Sequence, residues 1–159
     1  MTTMEDLYPD GHGYHDAHGP YIDAVAKALD EAGFKTDISW SDPNDPRDGW
    51  IGFDMEQQPH RNGEPVWSYD EVGIGWSENR GWHLLCIDDR NGRDSRYVFE
   101  LAIARLASPE TVANAVAEQA GIDAHVASDD YPDVDFPEHT FEDDDIPFDQ
   151  ALAQYREPA

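Results

Sequence analysis

Positive charge is what this 159-residue chain has least of. Ten Lys and Arg, only two of them lysine, stand against 35 Asp and Glu, a formal charge of −25 with histidines neutral. Nucleic acids and anionic membranes are held by Lys and Arg that neutralise phosphate, so the deficit argues against direct binding to either. Cysteine is nearly absent as well. Cys86 alone can form neither an internal disulfide framework nor a cysteine-built zinc site. No apolar run approaches the roughly 18 residues of a membrane-spanning helix, and residues 1–20 are polar and acidic, unlike a secretory signal. These absences argue against a membrane-spanning helix and a secretory signal.

Catalytic motifs are missing too. There is no Gly-x-Ser-x-Gly elbow and no phosphate loop, and Gly73-Ile74-Gly75 lacks the third glycine and following helix of a dinucleotide fingerprint. Cys86 lies within Leu84-Leu85-Cys86-Ile87, an apolar setting that raises a thiol pKa and leaves it inert. The loops Asp42-x-Asn44-x-x-x-Asp48 and Asp89-x-Asn91-x-x-Asp94 have oxygen ligands at short spacing but do not fit an EF-hand: the first holds two prolines, the second Arg93 at a ligand position. Arg47 in the first loop is expected to tie down neighbouring carboxylates by bidentate hydrogen bonds. Nothing singles out an enzyme, and no cofactor is expected.

The charge that is present divides the chain. Residues 1–18 hold four acids and no Lys or Arg, residues 19–122 hold 19 acids and nine basic residues, and residues 123–159 hold 12 acids and only Arg156. The middle segment also contains all five tryptophans. It reads as the domain, between a flexible histidine-rich start (1–18) and an acidic tail (123–159), docking or partly helical near its end.

Within the domain, Ile22, Val25, Ala26 and Leu29 form one apolar stripe after Pro20, and Gly33 follows as a stop, so residues 20–32 predict a helix. Ser108 as cap, Pro109 and Glu110 in the first turn and Gly121 as stop predict a second helix. Its narrow stripe of Val112, Ala113, Val116, Ala117 and Ala120 implies close packing on a flat surface, most simply a sheet. Between the helices the period changes to two. Strands are expected at residues 35–40, 49–55, 72–77 and 82–87, and Asn91-Gly92 has the chemistry of a type I′ hairpin turn. Residues 97–104 read as a further strand from Tyr97, Phe99, Leu101 and Ile103, although Val98, Leu101, Ala102 and Arg105 are also compatible with an early start of the second helix. The expected fold is α+β: an antiparallel meander of four or five strands with both helices on one face.

Four segments carry a resemblance: Pro20-Tyr21-Ile22-x-Ala24-Val25-Ala26-x-Ala28-Leu29, Asp42-Pro43-x-Asp45-Pro46-Arg47-Asp48-x-x-Ile51, Trp76-x-Glu78-x-x-Gly81-Trp82-x-Leu84, and Ser108-Pro109-Glu110-x-Val112-Ala113. Over roughly residues 19–120 the chain resembles a family of small uncharacterised domains common in Streptomyces and other actinobacteria. The resemblance implies a compact α+β domain in a cytoplasmic actinobacterial or phage protein, and no activity.

The histidine-rich start and the acidic tail lie outside that region. His12, His15 and His18 recur at i, i+3 and i+6, where neighbouring pairs could share a metal with Asp10 or Asp16. Glycines around His12 and at Gly19 favour instead an exposed, poorly ordered start. Trp40, Trp50, Trp67, Trp76 and Trp82 could form a stacking platform, though in a domain of this size they more often fill the core or shield the sheet. In the tail, Asp129, Asp130, Asp133, Asp135, Glu138, Glu142, Asp143, Asp144, Asp145 and Asp149 alternate with Tyr131, Phe136, Phe141, Ile146 and Phe148. Acidic–aromatic alternation is the composition of a segment that docks on a basic, partly apolar groove. The tail aromatics would otherwise pack back on the domain, and salt adaptation or a high-GC genome would also account for the composition.

The leading expectation is a non-enzymatic acidic binding protein that engages a basic protein, with Asp130, Asp133, Asp135, Phe141, Glu142, Asp143, Asp144, Asp145 and Phe148 as its contact residues. In its sharpest form it is a nucleic-acid mimic, an inhibitor of phage or mobile-element origin occupying the basic groove of a nucleic-acid-binding protein. The alternatives are a small acidic chaperone or secretion adaptor with an apolar groove, and a metal-dependent enzyme using the N-terminal histidines.

Overall fold

Alternating apolar and small residues in the middle of the chain build an antiparallel sheet, seen in a computed structural model that describes residues 2–88, 95–123, 128–136, 139–140 and 142–156. In chain order the strands are β1 (Thr36–Asp42), β2 (Asp48–Phe53), a small hairpin of β3 (His60–Arg61) and β4 (Glu64–Pro65), then β5 (Glu71–Ser77), β6 (Gly81–Asp88) and β7 (Ser95–Glu100). The main sheet runs β1-β2-β5-β6-β7, every neighbouring pair antiparallel. The helices are α1 (Met4–Leu7), α2 (Gly19–Glu31), α3 (Pro109–Ala120) and α4 (Ile146–Ala153). The fold is the expected α+β meander.

One face of the sheet makes the core. Ile51, Ile74 and Leu84 stand in one cross-strand row, each 1% exposed or less, and Trp76 pairs with Trp82 in the next. Ile22, Val25 and Leu29 of α2 are buried over this face, where Tyr21 donates its hydroxyl to the Ala107 carbonyl and accepts from the Trp82 indole. The strip of Val112, Ala113, Val116 and Ala117 is buried, but α3 comes closest to α2, not flat against a strand as its small residues suggested. Two helices with narrow apolar stripes cover more of a twisted sheet by leaning on each other.

The strand read at 97–104 ends at Glu100. Leu101 still donates to the Trp82 carbonyl, but the chain then turns, with Ile103 N–H bonded to the Leu101 carbonyl. Asn91-Gly92 lies outside the described residues. Short helical turns occupy residues 4–16, and both ends of the chain, set apart from the core in the sequence reading, contribute to it. Tyr8, Ala17 and His18 are buried from the N-terminal side, and Phe148, Asp149, Ala151, Leu152 and Tyr155 from the C-terminal side.

Candidate functional site

The strongest polar feature joins the chain ends to the sheet. Arg47, at the entrance to β2, is fully buried. Its Nε and Nη2 donate to Glu78 Oε2 and Oε1 at 3.0 and 2.9 Å, and its Nη1 donates to Asp149 Oδ1 at 2.8 Å and to the Tyr14 carbonyl at 3.1 Å. Glu78 sits in the β5–β6 turn and also accepts the Arg47 backbone N–H, while its own N–H donates to the Arg47 carbonyl. His139 completes the cluster. Its Nε2 lies 3.0 Å from Glu78 Oε1 and its Nδ1 2.8 Å from Asp145 Oδ2. A ring nitrogen facing an ionised carboxylate must carry a proton, so contact on both sides makes His139 an imidazolium. Burial opposes that charge, but the two carboxylates outweigh it and raise the ring's pKa above 6.5. Glu78, which burial would raise, is instead held at about 2 by His139 and Arg47. Two cations thus meet three carboxylates, all of them buried but Asp145, which is half-buried.

The cluster fastens the tail. Phe148, completely buried, stacks on His139 at 3.9 Å between ring centroids. Asp149 accepts the Tyr8 hydroxyl at 2.6 Å, linking α4 to the N-terminal segment. Arg105 donates to the Phe136 and His139 carbonyls, and Leu106 forms an antiparallel bridge with Val134. The tail acids also complete α3. Asp133 accepts from Ser108 N–H at 2.7 Å and the Thr111 hydroxyl at 3.0 Å, and Asp129 accepts from Glu110 N–H at 2.8 Å. Carboxylates at a helix N-terminus satisfy orphan N–H groups and oppose the positive end of the dipole.

The proposed contact residues therefore separate. Asp130, Asp135, Glu142, Asp143 and Asp144 are exposed; Asp133 is exposed with its oxygens engaged by α3. Asp145 is half-buried, holding His139 and capping α4 through Phe148 N–H. Phe148 is a core residue, the placement given by the reading in which tail aromatics pack back, and Phe141 lies outside the described residues. Arg47 does bind carboxylates bidentately, but they are 31 and 102 residues away, not its loop neighbours. Sequence reasoning missed the cluster as a unit. Two members, Arg47 and Glu78, sit inside the motifs quoted above, which was the available signal.

The N-terminal histidines are not brought together. His12 is exposed, His15 is exposed with Nε2 3.7 Å from Asp45, and His18 is buried with Nε2 2.8 Å from the Asp48 carbonyl. Burial lowers the His18 pKa. Among the described residues, no group of three or more His, Cys, Asp or Glu is arranged to hold a metal ion. Cys86 is buried, and burial pushes its thiol up to about 11.

Two surfaces stand out among the described residues. A cleft lined by Met4, Glu5, Tyr8, Tyr14, His15, Asp45 and Asp144 sets three carboxylates beside two phenol rings, between the N-terminal segment and the tail. The other surface is the sheet face opposite the helices. There Ile38, Trp40 and Val98 are 55%, 43% and 60% exposed, and Trp50, His83, Leu85 and Ile87 are half-buried. Gly73 and Gly75 make this face possible. A side chain at Gly73 would overlap the Trp50 ring and one at Gly75 the His83 ring, so both rings lie flat on β5. Trp67, Trp76 and Trp82 are buried, which leaves Trp40 and Trp50 for any platform. No helix among the described residues is long and apolar enough to cross a membrane. Comparison with curated proteins and with solved structures returned no match. The family model of DUF6292, a family of unknown function, matches residues 21–118, from the start of α2 almost to the end of α3, and the chain belongs to that family.

Proposed function

We propose that this is a non-enzymatic binding protein for a positively charged protein partner, of actinobacterial or phage origin and acting in the cytoplasm of the bacterial cell. The observation that carries the reading is the cleft in which Glu5, Asp45 and Asp144 surround Tyr8 and Tyr14 on a chain of net charge −25. A Lys or Arg side chain entering it would meet the three carboxylates for its charge and Met4 for its stem, while the Tyr8 and Tyr14 rings behind them already carry the chain's own Arg156 and Arg47. Exposed Asp130, Asp135, Glu142, Asp143 and Asp144 add to the negative field of the molecule, which speeds encounter with a basic surface. In its sharpest form the protein is a nucleic-acid mimic, its carboxylates occupying a groove built for phosphates.

The test is capture from host lysate at low and at high salt, followed by binding measurements with the captured protein. Glu5→Gln, Asp45→Asn and Asp144→Asn together should slow association about tenfold or more and flatten the salt dependence. Unchanged association would reject the cleft. A second reading, an adaptor for an apolar client segment, is favoured by the exposed Ile38, Trp40 and Val98. It predicts binding that salt leaves intact and that Trp40→Ala abolishes.

A further inference from the structure

The two edges of the sheet differ in their protection. An edge strand offers unpaired N–H and C=O groups, and proteins blunt it with bulges, prolines or charge. At one edge, β1 carries a register shift between Thr36 and Ile38 together with Asp37 and Asp42. At the other, β7 pairs with β6 in unbroken register from Ser95 to Glu100, contains no proline, and exposes all six residues. Three of these in a row are large and apolar: Tyr97 is 46% exposed, Val98 60% and Phe99 37%.

The phase of the outer edge follows from one hydrogen bond. Leu101 N–H donates to the Trp82 carbonyl, so Leu101 faces β6. Backbone groups alternate sides along an antiparallel strand, so Phe99 and Tyr97 also face β6, while Glu100, Val98 and Arg96 direct their N–H and C=O outward. An antiparallel pairing of β7 with a second β7 centred on Val98 would place these outward residues opposite one another. Val98 meets Val98, and Arg96 meets Glu100 twice across the two-fold axis. Tyr97 falls opposite Phe99 in the non-hydrogen-bonded positions, where side chains approach most closely. Moving the centre to Arg96 or Glu100 would oppose like charges, and moving it to Tyr97 or Phe99 would leave the ion pairs unmade. The strand is self-complementary in backbone, charge and aromatic content about one residue.

We propose that β7 is a homodimerisation edge, pairing antiparallel with β7 of a second copy about Val98 to form a continuous ten-stranded sheet. Arg96 also makes an interaction within its own chain, and the intermolecular pair with Glu100 adds to it. Because each copy carries −25, dimerisation works against mutual repulsion and strengthens with added salt, opposite in sign to capture of a basic partner.

Sedimentation velocity on the full chain across concentration and salt tests this. A monomer–dimer equilibrium is expected whose dissociation constant falls as salt rises. Val98→Pro removes only an outward N–H, which an edge strand tolerates, and should abolish the dimer while circular dichroism stays native. Glu100→Arg or Arg96→Glu alone should weaken dimerisation about tenfold, and the two combined should restore it to within about threefold. A chain that stays monomeric at high concentration and high salt overturns the proposal. So does a dimer indifferent to Val98→Pro, or a double charge swap no better than the single ones. Binding of a basic partner through the cleft is unaffected by Val98→Pro, so failure of that function and failure of this interface are read separately.

Discussion

Arg47 shows how much one residue decides in this protein. Its guanidinium is out of water, and each N–H that binds Glu78 or Asp149 replaces hydration that both partners lost on folding. Such a cluster gains little over well-packed apolar side chains, but removing one partner leaves uncompensated buried charge. Arg47→Met is therefore expected to cost about 3–5 kcal/mol, measured by urea unfolding. A loss within a few tenths of that of an exposed Arg80→Met control would mean the cluster is not formed. Titration reads the same residues. Glu78 is held at about 2, below its ordinary 4.5, so its contribution is present above 4.5 and is lost as pH falls through about 2. His139 is raised above 6.5, so its contribution is complete below 6.5 and is lost as pH rises through the folded-state value. Stability should peak between these limits. His139→Gln should flatten the alkaline limb of unfolding free energy against pH, and an unaltered limb would show that His139 is uncharged in the native state.

At the level of elements, the tail is held by side chains that the acidic composition concealed. In α4, a short helix, Phe148, Ala151 and Leu152 are buried, and its Asp145 cap is also a ligand of His139. Phe148→Ala should cost about 3–5 kcal/mol, since the ring is completely buried against His139 and Trp76. Asp133→Ala should cost about 1 kcal/mol by leaving the N–H of the α3 cap residue Ser108 and the Thr111 hydroxyl without their acceptor. Thermal melting separates these outcomes from a solvating tail, whose substitutions would leave the midpoint unchanged. Strand β5 offers a further check. Gly75→Val must displace the His83 ring and should cost about 1–3 kcal/mol, although valine is the better strand residue.

For the whole molecule, the dominant quantity is net charge. Self-repulsion at −25 opposes the folded state, and it is screened by salt, whereas the buried Arg47 cluster is screened far less. The melting temperature should therefore rise with added sodium chloride from about 10 mM to about 500 mM, over which the Debye length shrinks from roughly 30 Å to a few ångströms. A falling melting temperature would mean that surface ion pairs, not repulsion, govern stability. The two proposals respond to this field with opposite sign: capture of a basic partner is favoured at low salt, and pairing with a second copy when the charge is screened.

Much of this architecture is local in origin and therefore legible in the chain. The Ile22, Val25 and Leu29 stripe, the Ser108 cap and Gly121 stop, and the alternation through Ile74, Trp76, Trp82 and Leu84 specify elements by short-range rules, and α2, α3 and four strands lie within one or two residues of where those rules put them. Charge and composition likewise determined the acidic character of the chain. What the tertiary structure alone decided is which distant groups meet. Arg47, Glu78, His139 and Asp149 are spread over about a hundred residues, and no periodicity links them. The same holds for the tail: aspartates look alike in sequence whether they face water or close a helix end, and Phe148 is core beside Asp149, whose carboxylate is buried on Arg47. A sequence pattern reports which faces are apolar, but the pairing of charges across a fold depends on three-dimensional proximity that only chain closure creates.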